Sequence, residues 1–270
     1  MHPSLRLHEL ETRAKRRFGQ NFLIDAGIVG RIVRVAGVRA GDKALEIGPG
    51  LGILTAALVN AGAVVTAIEL DRDLAAGIRE SMPTVNLVEG DALKIDFDAV
   101  APGTGWKVVA NLPYNVATPI LMRLLDPRFT TMALMFQREV ANRLVATVED
   151  DAFGALSVQV QVRARVEVAI ELPPGAFHPA PKVHSTVVRI EPILADFGMR
   201  PDGTPVTAAH FDRVVRAGFA QRRKFVANSL TSAFERPAVD AALAAAGIAP
   251  TLRAERIDVV GWRRLAGFMP

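Results

Sequence analysis

The sequence predicts an α/β protein: a mostly parallel sheet with an antiparallel edge, followed by a small all-helical domain. Three observations carry this reading. From Asp42 to about Ile190, short apolar runs alternate with helix-length amphipathic stretches, the pattern of a parallel sheet wound with helices. Late in that region, two β-rich runs, Ser157 to Glu171 and Val183 to Glu191, are joined by a short turn-rich connection, which predicts the antiparallel edge. After Met199 to Pro205, where proline, glycine and aspartate cluster as in a linker, the spacing becomes helical to the end. The expected division is residues 1–198 for the sheet domain and 199–270 for the helical one.

The strands are expected in the order Lys43 to Ile47, Ala63 to Glu69, Val85 to Glu89, Trp106 to Ala110 and Thr131 to Phe136. Between and after them, the spacing predicts helices over Leu51 to Asn60, Arg72 to Ser81, Pro119 to Leu125 and Arg138 to Thr147. In the last region helices are expected over His210 to Phe219, Arg222 to Ala233, Pro237 to Ala246 and Val259 to Phe268.

Composition narrows the function classes. The chain has 270 residues, 50% hydrophobic and 22% charged, which excludes wholesale disorder and leaves room for a large domain and a smaller one. With no cysteine, disulfides, thiolate zinc sites, iron–sulfur ligation and cysteine nucleophiles are excluded. Residues 1–20 lack a signal-peptide apolar core, and no apolar run is long enough to cross a bilayer, so the expected location is the cytoplasm, with no membrane partner. Nothing signals an oligomer, and a monomer is expected. Residues 1–22 hold 5 Lys/Arg against 2 Asp/Glu, residues 23–205 hold 17 against 21, and residues 206–270 hold 10 against 5. Basic ends around an acidic-leaning middle point to a polyanionic partner at the ends. Arginine supplies most of that charge and can fork onto phosphates.

The chemistry-bearing motifs fall at successive strand ends. Leu45-Glu46-Ile47-Gly48-Pro49-Gly50-Leu51-Gly52 follows the first strand, and glycines there let the backbone pass close to a ligand. A purely structural turn is the alternative. A glutamate before the glycines and the lack of a Walker lysine favour a cation-bearing ligand over a phosphate. Glu69, at the tip of the second strand, is placed to accept both hydroxyls of a ribose; an ordinary capping glutamate is the alternative. Asp91, in Glu89-Gly90-Asp91-Ala92, is placed to accept from an adenine amino group. Turn, ribose acceptor and adenine acceptor thus come in the order an adenosine ligand requires.

The fourth strand ends in Asn111-Leu112-Pro113-Tyr114-Asn115. Proline fixes the turn so that the Asn111 side-chain amide and the Leu112 carbonyl can converge as two acceptors on one amino group. An adenine amino nitrogen is a poor nucleophile because its lone pair is delocalised, and accepting both its hydrogens turns that pair toward an electrophile. Positioning then replaces general-base chemistry. Tyr114, the only tyrosine, would stack on an extracted base; a buried core tyrosine is the alternative. His178 and His184 have no carboxylate or cysteine at ligand spacing, so no metal is expected.

Through these motifs the chain resembles the ribosomal RNA adenine N6,N6-dimethyltransferases of the KsgA/RsmA group from about Arg16 to the last helix. Further matches are Arg17-Phe18-Gly19-Gln20-Asn21-Phe22-Leu23, Gln137-Arg138-Glu139-Val140-Ala141, Phe177-His178-Pro179-Ala180-Pro181-Lys182-Val183 and Gln221-Arg222-Arg223-Lys224. The stretch Glu149-Asp150-Asp151-Ala152-Phe153 is more acidic than in the group. The resemblance implies a Rossmann-like methyltransferase using S-adenosylmethionine (SAM), with S-adenosylhomocysteine as product and no metal. The implied SAM contacts are Gln20, Asn21, Leu23, Gly48, Gly50, Glu69, Leu70, Asp91, Ala92 and Asn111. The implied catalytic set is Asn111, Leu112, Pro113, Tyr114 and Phe177, with Phe177 facing Tyr114 across the target base. Arg16, Arg17, Arg222, Arg223 and Lys224 are read as rRNA phosphate contacts, the substrate being two adjacent adenosines in the 3′-terminal hairpin of 16S rRNA in the 30S subunit. The rivals are an Erm-type 23S rRNA methyltransferase, a 30S assembly checkpoint factor that acts mainly by binding, and a small-molecule methyltransferase that would leave the basic ends unexplained.

Overall fold

The computed structural model of the chain describes residues 21–221 and 223–270. Strand β1 (Phe22–Leu23) leads into helix α1 (Ala26–Val35), which the sequence reading did not single out. Its signals were present: the Asp25 carboxylate caps it by accepting from Ile28 N–H at 3.0 Å, and Val29, Ile32 and Val33 share its buried face. There follow β2 (Lys43–Ile47), α2 (Ile53–Asn60), β3 (Val64–Glu69), α3 (Arg72–Ser81), β4 (Asn86–Glu89), α4 (Phe97–Val100), β5 (Trp106–Ala110), α5 (Ala117–Leu124), β6 (Phe129–Gln137) and α6 (Arg138–Val145). Then come α7 (Ala155–Gln161), β7 (Ala164–Leu172), β8 (Phe177–His178) and β9 (Ser185–Pro192). The last helices are α8 (Ala208–Gly218), α9 (Val226–Leu230), α10 (Arg236–Ala245) and α11 (Val259–Phe268).

Seven strands form one sheet in the order β4-β3-β2-β5-β6-β9-β7. From β4 to β6 neighbours are parallel, and β9 pairs antiparallel with β6, giving the expected antiparallel edge region. The order reverses between β2 and β5. In such sheets ligands bind at that switch point, outside the carboxyl ends of the strands. Strands β2, β3 and β5 are almost wholly buried, as helix-covered parallel strands must be. A short antiparallel pair, β1 with β8, sets Leu23 opposite Phe177.

The described residues divide into two compact units, those of 21–141 with 166–192, and those of 142–165 with 193–270. The sequence reading expects one cut after residue 198 instead. In the first unit a core including Ile32, Leu58, Val109 and Val187 packs the sheet against its helices. In the second, Phe153, Val158 and Val162 share a core with Phe211, Leu230 and Trp262, which is why 142–165 belongs with the C-terminal helices.

Three expectations need correcting. The Ser157 to Glu171 run is not all β: its start lies in α7, where Val158 and, one turn on at the helix's C-terminal cap, Val162 enter the second unit's core. The Val-x-Val alternation mimics a strand, and tertiary packing overrides it. The helix expected over Arg222 to Ala233 is only Val226–Leu230, because Lys224 N–H bonds Gln221 O in a turn and Val226 N–H is taken by Leu252 O at 2.7 Å. Nor is Met199 to Pro205 a free linker. Arg200 N–H bonds Thr204 O at 2.8 Å, Val206 N–H bonds Gly198 O at 2.9 Å, and Met199 O packs so close to Gly267 of α11 that a Cβ there would collide with it.

Candidate active site

A cavity of about 220 Å³ opens at the carboxyl ends of β2, β3, β4 and β5, within the first unit. The turn after β2 forms one wall. Gly48 has φ of +69°, with nothing within 4 Å of where a Cβ would stand, so its bare backbone borders open space. Gly50, with φ of +56°, brings its N–H to Glu69: a Cβ there would stand 3.0 Å from the Phe22 ring.

Glu69 ends β3 and is 4% exposed. Gly50 N–H donates to its Oε2 at 3.1 Å and Asp71 N–H to its Oε1 at 2.9 Å. Two backbone amides therefore fix the carboxylate, and each oxygen keeps a second lone pair for a ligand hydroxyl. Burial raises its carboxyl above the ordinary range, while these amides pull it back down. Glu46, one residue before the end of β2, also lines the cavity, and its Oε2 is buried with no hydrogen-bond partner. Burial pushes this carboxyl up to about 8. The Thr55 side chain pulls the other way but does not offset burial, so the carboxyl keeps its proton and stands as a neutral polar group beside the glycine cradle.

Past β4, Asp91 lines the cavity and accepts from Leu93 N–H at 2.9 Å through Oδ1. Asn111 follows β5, and its Nδ2 donates to Asn21 O at 2.8 Å. That bond fixes the amide's orientation, leaving Oδ1 as the acceptor end. Tyr114, half-buried on the turn between β5 and α5, lines the same cavity.

The cavity brings together Asn21, Leu23, Gly48, Gly50, Glu69, Leu70, Asp91, Ala92, Asn111, Leu112, Pro113 and Tyr114. Phe177 does not line it: its ring is 2% exposed and packs in the first unit's core beside the β1–β8 pair. Gln20, Arg16, Arg17 and Arg222 lie outside the described residues. Arg223 and Lys224 are exposed in the turn before α9 of the second unit. Asp71 and the ring of Phe22 are further cavity residues that the motif reading missed. Asp71 carried a signal, as the N-cap of α3 directly after the strand tip. Among the described residues, no three His, Asp or Glu side chains gather as metal ligands, and no helix is long and apolar enough to cross a membrane.

The residues fit SAM: open backbone at Gly48, a fixed buried carboxylate at Glu69 and an acceptor at Asp91. The family model for ribosomal RNA adenine dimethylases matches residues 11–268. The chain is 44% identical over 258 residues to ribosomal RNA small subunit methyltransferase A of Magnetococcus marinus, covering 93% of this chain and 90% of that protein. To the protein of the same name from Pseudomonas aeruginosa it is 42% identical over 260 residues, covering 94% of each. Among solved structures it is similar to 23S rRNA methyltransferase ErmE, with a TM-score of 0.67 and 25% identity over 92% of this chain and 99% of that one. A dimethyladenosine transferase from Plasmodium falciparum shares the fold, with a TM-score of 0.72 and 24% identity over 90% of this chain and 95% of that one. Matched almost end to end by one family model and by relatives of nearly the same extent, the chain belongs to the ribosomal RNA adenine dimethylases, which use SAM as methyl donor.

Proposed function

We propose that the chain dimethylates N6 of two adjacent adenosines in the 3′-terminal hairpin of 16S rRNA, in the 30S subunit or its precursor, as a cytoplasmic monomer with a part in small-subunit biogenesis. The observation that carries this reading is the meeting of Glu69, Asp91, Asn111 and Tyr114 in one cavity at neighbouring strand ends. The cavity has one end suited to an adenosine ligand and another suited to a target base.

When bound, SAM supplies an electrophilic methyl group on a sulfonium centre. Glu69 would accept from its ribose hydroxyls and Asp91 from its adenine amino group. At the target base, Asn111 Oδ1 and the Leu112 carbonyl accept the two hydrogens of N6, and Pro113 holds their turn. Tyr114 offers the stacking face. Phe177 meets the base only if its ring leaves the core around the β1–β8 pair. Arg223 and Lys224, with Arg16, Arg17 and Arg222, meet rRNA phosphates.

The test is transfer of labelled methyl from SAM to unmethylated 30S subunits, with the modified nucleosides resolved by mass spectrometry. Dimethyladenosine at two adjacent positions of the 3′-terminal hairpin is expected. Asn111→Ala and Tyr114→Ala should lower turnover far more than SAM affinity; equal losses in both would overturn their assigned roles. Product on 23S RNA and none on 30S would move the substrate to the large subunit.

A further inference from the structure

Tyr114 sits on a turn, and with one side toward the cavity its ring is only half gripped by packing. A half-packed ring on a turn can swing about its Cα–Cβ bond between staggered positions, so it needs a second anchor to hold its long axis in one direction. The phenol oxygen has one: Tyr114 Oη lies 2.5 Å from Ser185 Oγ. Ser185 is fully buried as the first residue of β9, in register with Gln137 at the end of β6. Arg138 N–H bonds the preceding carbonyl, that of His184, at 3.0 Å. The serine is thus anchored in the sheet, and the tyrosine is not. Ser185 does not line the cavity.

We propose that Ser185 is a positioning residue whose hydroxyl ties the Tyr114 phenol to the sheet and holds the axis of the ring against which the target adenine stacks. The inference rests on the reading of Tyr114 as the stacking residue. Burial raises the Tyr114 hydroxyl above its ordinary range, against a smaller opposing pull from Ser185, so at neutral pH the tie joins two neutral hydroxyls. Stacking geometry is demanding: a small misplacement of a reacting group costs about tenfold to a hundredfold in rate.

Ser185→Ala and Tyr114→Phe each remove one end of the tie. Both are expected to lower kcat for methyl transfer to 30S by about tenfold, with SAM affinity unchanged by equilibrium binding. The double variant should fall no further than either single one, because one bond is lost in all three. Ser185→Thr, which keeps the hydroxyl, should recover most of the rate. Since Tyr114 is the only tyrosine, protein carrying isotopically labelled tyrosine Cζ gives a single tyrosine resonance. Ser185→Ala should move it toward the position of a solvated phenol, with no substrate present. Unchanged kcat, additive losses in the double variant or an unmoved resonance would each overturn the proposal. So would a loss of SAM affinity matching the loss of kcat, which marks a merely structural serine. If Ser185→Ala has no effect while Tyr114→Ala abolishes transfer, the tie fails and the stacking role stands. Wild-type kcat in Tyr114→Ala removes the stacking role itself.

Discussion

Glu46 holds its proton against the usual behaviour of a carboxyl group. Burial pushes it up to about 8 from an ordinary value near 4.5. Between those values the unfolded chain has released the proton and the folded chain keeps it, so stability falls as pH rises. Below the window both states are protonated, above it both are ionised, and the dependence levels off. Glu46→Gln is neutral at every pH. Urea titrations inside and outside the window should therefore show a flatter stability profile for the variant, and an unaltered slope would mean that the carboxyl ionises normally. Asn111 shows a related economy of atoms: one N–H of its amide is spent on Asn21 O, which orients the oxygen as the acceptor for chemistry.

Helix α7 shows how one hydroxyl stabilises an element whose local sequence argues otherwise. Ser157 Oγ accepts from Gly154 N–H at 3.0 Å and donates to Arg143 O at 2.5 Å, entirely shielded from water. Ser157→Ala leaves both partners unpaired and should destabilise the chain by about 1–3 kcal/mol, read as a lower urea midpoint at constant m-value. A shift smaller than the error of the titration would deny the bond any weight. The same helix marks where sequence reading stops. Strands β2 and β5 were legible to the residue because buried parallel strands are continuous apolar runs. Helix α3 was equally plain, with Asp71 as cap and Leu74, Ala75 and Ile78 on one face. In α7 the alternating valines are explained only by partners far along the chain, such as Phe211 and Trp262, which no local window contains. The site followed the same rule. Glu69, Asp91 and Asn111 sit at strand tips that the pattern located, whereas the burial of Phe177 and the partner of Tyr114 depend on β8 and β9, whose placement is a tertiary matter.

For the whole molecule, charge distribution makes a claim about binding. The last 65 residues carry 10 Lys/Arg against 5 Asp/Glu, and Arg223 and Lys224 are exposed there. If each meets a phosphate, Arg223→Ala and Lys224→Ala should each reduce the slope of log K against log salt for 30S binding by about 0.7–0.9. A weaker affinity with an unchanged slope would mean that the lost contact was not to phosphate. The way the chain is shared between its two units also bears on how it is made. It leaves the first unit after Ala141, returns at Val166 and leaves again after Pro192. On the ribosome, β7 emerges before β9, the strand it pairs with in the sheet. The apolar side chains of Phe153, Val158 and Val162 emerge earlier still, and must wait for Trp262 near the end of synthesis. The nascent chain thus carries an unmatched apolar segment until late in its synthesis, a natural client for a holdase. A fragment beginning at residue 199 would lack part of its own interior, and joining 142–165 to 193–270 by permutation is the cut that keeps that interior whole.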